Sequence, residues 1–209
     1  MELYYVTKEI GFDFILEKGD ALMLVDLSVK VTMSSNEEAI KNEKMASFGH
    51  LGTHFDVMNK EFPLEFIRRD AIVFDVSGIV DRDIEITDID LSLLEKDMFV
   101  AFHTGFIERV SYGSKVYFTS HPQLSNELID ELLNLKISII GIDFAGVRRG
   151  SEHTPKDQYC ADRGVFIIEN LCNLGVVLNN RSNCKFVINT YPINFAGMTG
   201  LPCRVVAEI

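Results

Sequence analysis

The sequence predicts a mixed α/β fold, and two observations indicate it. Short apolar runs of strand character outnumber the segments with helical periodicity, and helices lie between some of them. No linker, internal repeat or low-complexity segment divides the 209 residues, a length that suits one domain of ordinary size. We therefore expect a single α/β domain over residues 1–209.

The strands are predicted from short apolar runs that end at charged or turn-forming residues. They cover residues 21–29, 71–76, 98–103, 137–143, 164–168, 186–189 and 201–209. The clearest helix covers residues 126–135, because Ser125 is a good N-cap and one face is apolar. That face consists of Leu128, Ile129, Leu132 and Leu133. Shorter helices, helical turns or loops are predicted at residues 37–44, 63–67 and 88–94.

Composition and charge restrict the possible partners. The formal net charge of -11 at pH 7 disfavours binding to the phosphates of a nucleic acid. No apolar run is long enough to cross a membrane, and the N-terminus lacks the pattern of a signal peptide. The four cysteines form no Cys-x-x-Cys pair. We therefore expect a cytoplasmic protein with free thiols and with neither a nucleic-acid nor a membrane partner.

The most informative stretch is His50-Leu51-Gly52-Thr53-His54-Phe55-Asp56. Two imidazoles and one carboxylate are good ligands for zinc, manganese or iron. Side chains alternate between the faces of an extended strand, so residues 50, 54 and 56 would point the same way. A straight strand, however, would separate the Cα atoms of His50 and Asp56 by roughly 20 Å, too far for one cation.

Convergence of the three side chains on one cation therefore requires a curled backbone. Gly49 and Gly52 permit such a curl, because a residue without a Cβ atom adopts conformations that other residues avoid. The spacing alone leaves a second interpretation open. In that interpretation, these residues are ordinary polar groups of a loop or histidines that are hydrogen-bonded in a core.

The same stretch resembles the signature of the cyclase family of metal-dependent hydrolases, His-x-Gly-Thr-His-x-Asp-x-Pro-x-His. This family includes bacterial kynurenine formamidase. Further segments resemble the family in the same order along the chain, at residues 25–28, 102–106, 122–125, 140–143, 168–174 and 200–204.

The resemblance implies a swivelling β/β/α fold and the metal-dependent hydrolysis of amide bonds, often in N-formyl or cyclic amide substrates. It also implies that His50, His54 and Asp56 bind a metal, and that Glu169 belongs to a second metal position. We expect zinc, with manganese as the other option. The resemblance further implies a small-molecule substrate and a homo-oligomer, and we expect a homodimer or homotetramer.

The sequence departs from the family pattern at three positions. Met58 stands where the family has proline, and Lys60 stands where it has the last signature histidine, which is thought to act in acid–base catalysis. Counting back from Glu169 by the usual separation leads to Asp157, where the family commonly has a metal-binding histidine. Asp157 can still bind a metal through oxygen. Residues 155–158 could instead form a solvated turn.

These departures bear on catalysis. Lys60 is a poor base at its ordinary pKa of about 10.4, but burial beside a metal would lower that pKa. We predict catalytic roles for Lys60 and Glu169. His153 is a weaker candidate for the missing imidazole, because the loop that contains it has no predicted direction. The predicted metal ligands are His50, His54, Asp56, Asp157 and Glu169.

Three functions stay open at this point. The first is a metal-dependent hydrolase of a carbon–nitrogen amide bond, resembling an arylformamidase. The second, suggested by Lys60, is a metal-binding homologue that has lost or altered catalysis and acts as a binding protein. The third is a lyase or isomerase that uses the metal to stabilise an enolate. His103 and Asp143 have both structural and functional interpretations, whereas His121 is interpreted as structural or exposed.

Overall fold

A computed structural model describes residues 4–8, 12–16, 22–32 and 48–209, with only the backbone described in the first two ranges. The helix or loop predicted at residues 37–44 lies outside the described residues. The strands in the described part are β1 (Tyr4–Lys8), β2 (Phe12–Leu16), β3 (Met23–Asp26), β4 (His54–Asp56), β5 (Arg68–Asp75), β6 (Phe99–His103), β7 (Ile139–Ile142), β8 (Phe166–Glu169), β9 (Asn183–Pro192) and β10 (Gly200–Glu208).

Short helices connect these strands. The α-helices of the described residues are α1 (Phe106–Arg109), α2 (Lys115–Thr119), α3 (Asn126–Asn134), α4 (His153–Ala161) and α5 (Leu174–Leu178). Single turns of 3-10 helix span Leu64–Ile67, Ile86–Asp88, Leu91–Leu93 and Gly150–Glu152.

Seven of the strands form a closed, barrel-like sheet. Strands β5, β6, β7 and β8 lie side by side and run parallel. Strand β4 pairs antiparallel with β8, and β9 pairs antiparallel with β5. Strand β10 closes the ring, because it pairs with β4 through its first residues and with β9 along most of its length. The mixed α/β prediction is therefore confirmed.

Apolar residues pack against both faces of this sheet. Alternate residues of a strand point to opposite faces, and β5 illustrates the pattern. Ile72 and Phe74 join a core with the apolar face of α3, whereas Ala71 and Val73 join a second core. The second core also contains buried residues of β4, β9, β10 and α5. These two cores hold the strands that carry the polar site described below.

The clearest predicted elements are confirmed, with shifted ends. Helix α3 begins after Ser125, whose side chain accepts a hydrogen bond from the backbone N–H of Leu128, and its four predicted apolar residues are buried. The predicted helix at residues 88–94 is instead two separate 3-10 turns. Strand β9 is longer than predicted, because it continues on both sides of the short apolar run at residues 186–189 from which it was predicted.

Helix α4 covers residues for which the sequence predicted a loop followed by a possible turn. Pro155 is the third residue of this helix, where its missing N–H removes no intrahelical hydrogen bond. The helix has little apolar periodicity, because its buried residues are Asp157, Cys160 and Ala161. A polar helix with one buried carboxylate gives no clear pattern in the sequence.

The structure also bears on two expectations from composition, those about the cysteines and about membrane spans. Every cysteine of the chain carries a free thiol. Among the described residues, no helix combines the length and apolar character needed to cross a membrane.

Candidate metal centre

Polar side chains gather where the parallel strands end. The carboxyl ends of β5, β6 and β8 are Asp75, His103 and Glu169, and Asp143 directly follows β7. Because these strands are parallel, their carboxyl ends lie at one edge of the sheet. Strand β4 runs the other way beside β8 and places His54 directly opposite Glu169.

The signature segment curls as the sequence predicted. His54 and Asp56 lie on one face of β4, since they are two residues apart in a strand. Gly49 and Gly52 adopt positive φ angles of 79° and 73°, and the chain between them returns His50 to that face. A Cβ atom at Gly49 would lie 2.0 Å from the carbonyl oxygen of Gly200, so only glycine allows this approach.

The first three predicted ligands converge. His50 Nδ1 lies 3.1 Å from His54 Nε2 and 3.1 Å from Asp56 Oδ1, and His54 Nε2 lies 3.6 Å from Asp56 Oδ1. Ligand atoms bound tetrahedrally at 2.0–2.1 Å around one zinc ion are about 3.3 Å apart. The spacing of these three atoms therefore fits a single cation.

Neighbouring groups orient both imidazoles. The Nδ1–H of His54 donates to the carbonyl oxygen of Gly52 at 2.9 Å, which leaves the Nε2 lone pair directed at the cluster. His50 Nε2 lies 2.8 Å from Thr199 Oγ1, and its Nδ1 faces the cluster. Metal-binding histidines are commonly oriented by a hydrogen bond from the second ring nitrogen. Thr199 thus helps to orient the ring of His50, a contact that the spacing of residues in the sequence does not predict.

A second group of side chains adjoins the first. It consists of Asp56, His153, Asp157 and Glu169, whose possible ligand atoms lie within 4.8 Å of one another. His153 Nε2 is 2.9 Å from Glu169 Oε1 and 3.3 Å from Asp157 Oδ2. Glu169 also links the groups, because its Oε2 lies 3.6 Å from His54 Nε2. Helix α4 brings in His153, the weaker of the predicted candidates.

Two buried oxygen atoms in this cluster lack a hydrogen-bond partner. They are Asp56 Oδ2 and Asp157 Oδ1, and the two residues are only 2% and 3% exposed. Burying carboxylate oxygen atoms without a partner is costly, whereas coordination to a cation would satisfy them. The donor set, the spacing and the unpaired oxygens all fit a divalent cation.

The electrostatics of the cluster reflect its crowded charges. Burial lowers the pKa of His54, but the Asp56 and Glu169 carboxylates outweigh burial and raise the pKa to about 9. Burial also opposes protonation of His153, yet Glu169 and Asp157 raise its pKa to about 10. For Asp157, burial and the nearby Asp56 carboxylate raise the pKa well above its ordinary value.

The structure does not bring Lys60 into the cluster. Its Nζ atom lies 2.6 Å from Asp162 Oδ1, and both side chains are partly exposed. Met58, at the family's proline position, has a φ of 57°, which the ring of proline cannot adopt. The loop after Asp56 therefore follows a path that a proline at position 58 would not allow, and it leads Lys60 to helix α4.

The remaining candidates have structural partners. The ring of His121 is buried and stacks on Phe144, its Nδ1 lies 2.7 Å from the carbonyl oxygen of Pro122, and burial lowers its pKa to about 4. His103 Nδ1 lies 3.3 Å from Asp75 Oδ1. Asp143 is completely buried and accepts three hydrogen bonds from Thr104 and Gly105.

Asn170 is a further supporting residue. Its Nδ2 donates to the carbonyl oxygen of Gly52, the same atom that accepts from His54, and its Oδ1 accepts from the hydroxyl of Tyr117. The hydroxyl of Tyr112 accepts from the N–H of Gly52. The only sequence signal for this role was the family-like segment around Glu169 and Asn170.

Comparison with known proteins identifies the class to which this fold and site belong. The family model named Cyclase, described as "Putative cyclase", matches residues 25–148, which is more than half of the chain. The protein therefore belongs to the cyclase family. The matched region contains His50, His54 and Asp56 but ends before helix α4. No curated protein matches the sequence.

Solved structures share the fold at low sequence identity. A potential metal-dependent hydrolase with cyclase activity is 20% identical with a TM-score of 0.66, over 90% of this chain and 98% of that chain. A predicted metal-dependent hydrolase from Bacillus stearothermophilus is 19% identical with a TM-score of 0.66, over the same shares. Isatin hydrolase A from Labrenzia aggregata is 17% identical with a TM-score of 0.64, over 100% and 93%. The predicted cyclase-like fold is confirmed.

Proposed function

We propose that the protein is a metal-dependent hydrolase of a carbon–nitrogen amide bond, acting on an N-formyl or cyclic amide. The observation that carries this proposal is the convergence of His50, His54 and Asp56 around one point, with a buried and unpaired Asp56 oxygen. Membership of the cyclase family and the names of the structural neighbours, which include isatin hydrolases, support it.

The predicted ligands would hold the cation, with zinc expected and manganese as the other option. When bound, such a cation polarises a carbonyl group and makes a water molecule more acidic. His50, His54 and Asp56 form the position with more nitrogen ligands, and Asp157 and Glu169 extend the site on the other side of Asp56.

Glu169 is the better placed of the two predicted catalytic residues. Its carboxylate is buried in the cluster, with Oε1 beside His153 and Oε2 beside His54. Lys60 pairs with Asp162 outside the cluster. We therefore assign to Glu169 the uptake of a proton from the attacking water, a role that requires hydrogen-bond reach of that water.

A largely apolar cavity of about 660 Å³ lies beside Thr199, the residue that contacts His50. Thr199 lines it, together with apolar residues that include Met58, Phe62, Phe195 and Met198. A cavity of this size and character suits an aromatic or aliphatic substrate body whose amide reaches the metal position. This supports an arylformamidase-like substrate over a small polar amide.

The test is hydrolysis by the metal-loaded protein. N-formylkynurenine and isatin are each incubated with protein loaded with zinc or manganese, and with chelator-treated protein as the control. Mass spectrometry measures the masses of the products. We expect addition of one water to at least one substrate, with loss of turnover on chelation and recovery on reloading. Full metal occupancy without turnover of any amide would contradict the proposal. A product of unchanged mass would indicate an isomerase.

The second candidate function is a metal-binding protein with lost or altered catalysis. The pairing of Lys60 with Asp162, at the position of the family's acid–base histidine, favours it. The variant Lys60→His separates the two candidates. A large gain of hydrolysis over an inactive wild type would favour the binding protein. Efficient wild-type turnover that the variant does not improve would reject it.

We also propose a homodimer or homotetramer, as the family resemblance implies. Light scattering of the purified protein measures the mass directly. A monomeric mass at all concentrations would contradict this part of the proposal.

A further inference from the structure

We propose that His153 is a ligand of a second cation, taking the place of the imidazole that Asp157 has replaced. The second position would then consist of Asp56, His153, Asp157 and Glu169, with Asp56 between the two cations. This inference rests on the proposed metal-dependent function. It adds a ligand that the family pattern does not supply and a metal preference that follows from it.

Helix α4 explains how an imidazole at position 153 can replace one at position 157. His153 and Asp157 are four residues apart in α4 and therefore lie on the same face, one turn from each other. His153 contacts both carboxylates, since its Nε2 is 2.9 Å from Glu169 Oε1 and 3.3 Å from Asp157 Oδ2. An imidazole from the preceding turn thus reaches the same cluster as the Asp157 carboxylate.

The unpaired oxygens indicate where a cation would bind. Asp157 Oδ1 has no hydrogen-bond partner, although Asp157 is only 3% exposed and His153 contacts its other oxygen. Asp56 Oδ2 is also unpaired, whereas Asp56 Oδ1 faces His50 and His54. Asp56 and Asp157 therefore each keep one oxygen atom that is free to coordinate a cation.

The backbone leaves room for the His153 ring. A Cβ atom at Gly146 would lie 2.7 Å from His153 Nε2 and 2.9 Å from its Cδ2. Gly146 has a φ of 105°, a conformation that suits glycine. The loop after β7 thus leaves a space that the imidazole occupies at the cluster.

The two positions differ in their ligand chemistry. The first has two imidazoles and one carboxylate, whereas the second has one imidazole and three carboxylates. Carboxylates suit manganese and magnesium, and imidazoles suit zinc. We therefore expect the second position to bind manganese better, relative to zinc, than the first position does.

The test is an equilibrium titration of chelator-treated protein with Mn²⁺, in which electron paramagnetic resonance measures the free ion. We expect two bound ions in the wild type and about 100-fold weaker binding of one of them in His153→Gln. Thr154→Ala, an exposed substitution on the same helix, is the matched control and should bind as the wild type does. The double variant His153→Gln with Asp157→His restores an imidazole one turn later and should recover the second ion.

The wild type also allows a measurement that needs no variant. With one equivalent of Zn²⁺ bound first, Mn²⁺ added second should show coupling to an imidazole nitrogen in pulsed electron paramagnetic resonance.

Two tight Mn²⁺ ions in His153→Gln, a single ion in the wild type, or no nitrogen coupling of the second ion would each overturn the role of His153 while leaving the first position intact. A wild type that binds neither Zn²⁺ nor Mn²⁺ would overturn the proposed function itself.

Discussion

Buried carboxylates near one edge of the sheet have contrasting surroundings. Asp143 is completely buried, and both of its oxygens are paired: Oδ2 accepts from the backbone N–H groups of Thr104 and Gly105, and Oδ1 accepts from the Thr104 hydroxyl. Asp56 and Asp157 are almost as buried, yet each has an oxygen without a partner. Burial alone therefore does not distinguish a structural carboxylate from a functional one.

The difference lies in which groups surround the carboxylate. Asp143 accepts hydrogen bonds from Thr104 and Gly105, the two residues that precede α1, and so stabilises the start of that helix. Asp56 and Asp157 meet imidazoles and other carboxylates, which can share a cation. His103 and Glu108 also lie near Asp143, but the oxygens of Asp143 are already satisfied by donors. We therefore expect substitution of Asp56 to lower activity and metal content, and substitution of Asp143 to lower stability.

The largest expected effect is that of Asp56→Ala on activity. Removing the carboxylate between the two groups should lower kcat/KM by about a thousandfold or more, equivalent to about 4 kcal/mol, because the cation loses a ligand. Metal content measured by plasma mass spectrometry should fall together with activity. Wild-type metal content in this variant would contradict the assignment of Asp56.

Asp143→Ala is the matched substitution in the other region. It leaves two backbone N–H groups and one hydroxyl without their acceptor, so the free energy of unfolding should fall by about 2–3 kcal/mol. Urea denaturation measures this loss, and metal content per folded protein should stay at the wild-type value. Loss of bound metal at unchanged stability would place Asp143 among the ligands instead.

A smaller effect should appear in the pH dependence of stability near Asp143. The pKa of His121, stacked on Phe144, is lowered from 6.5 to about 4 by burial. The unfolded chain therefore takes up this proton first, so the contribution of His121 to stability is complete above pH 6.5 and is lost as the pH falls towards 4. Between pH 7 and pH 5, the wild type should lose roughly 2 kcal/mol more than His121→Phe. Urea denaturation at the two pH values measures the loss of stability in each protein. Equal losses in the wild type and in His121→Phe would contradict a buried neutral His121.

The smallest effect is expected at the partly exposed Lys60–Asp162 pair. Lys60→Ala and Asp162→Ala should each lower the free energy of unfolding only slightly, since exposed ion pairs contribute little. Their effects on kcat should be small, because Lys60 contacts Asp162 rather than the cluster, whereas Lys60→Ala alone should change KM, because Lys60 also lines the cavity assigned to the substrate body. A kcat loss above about a hundredfold in Lys60→Ala alone would restore Lys60 as the proton-transfer residue.

Local patterns in the sequence predicted much of the fold. The parallel strands and α3 have apolar runs or a capped apolar face, which are local signals. The curl at Gly49 and Gly52 was also predictable, because the three ligands could not otherwise converge. The family-like segments placed Glu169 and Asp157, and the structure brings both into the cluster.

Long-range placement explains what the sequence could not provide. Helix α4 has too little apolar periodicity to be recognised, and without it the direction of His153 was undetermined. The partner of Lys60, Asp162, lies at the far end of the same helix, so no local pattern separates Lys60 from the cluster. The contact between Thr199 and His50 could not be predicted either, because the two residues are far apart in the sequence.

The most direct test of the metal centre is anomalous X-ray scattering from crystals grown with Zn²⁺ or Mn²⁺. We expect a peak at the absorption edge of the metal, about 2 Å from ligand atoms of His50, His54 and Asp56. Well-ordered crystals soaked with metal in which these three side chains point to different places, with no peak between them, would contradict it.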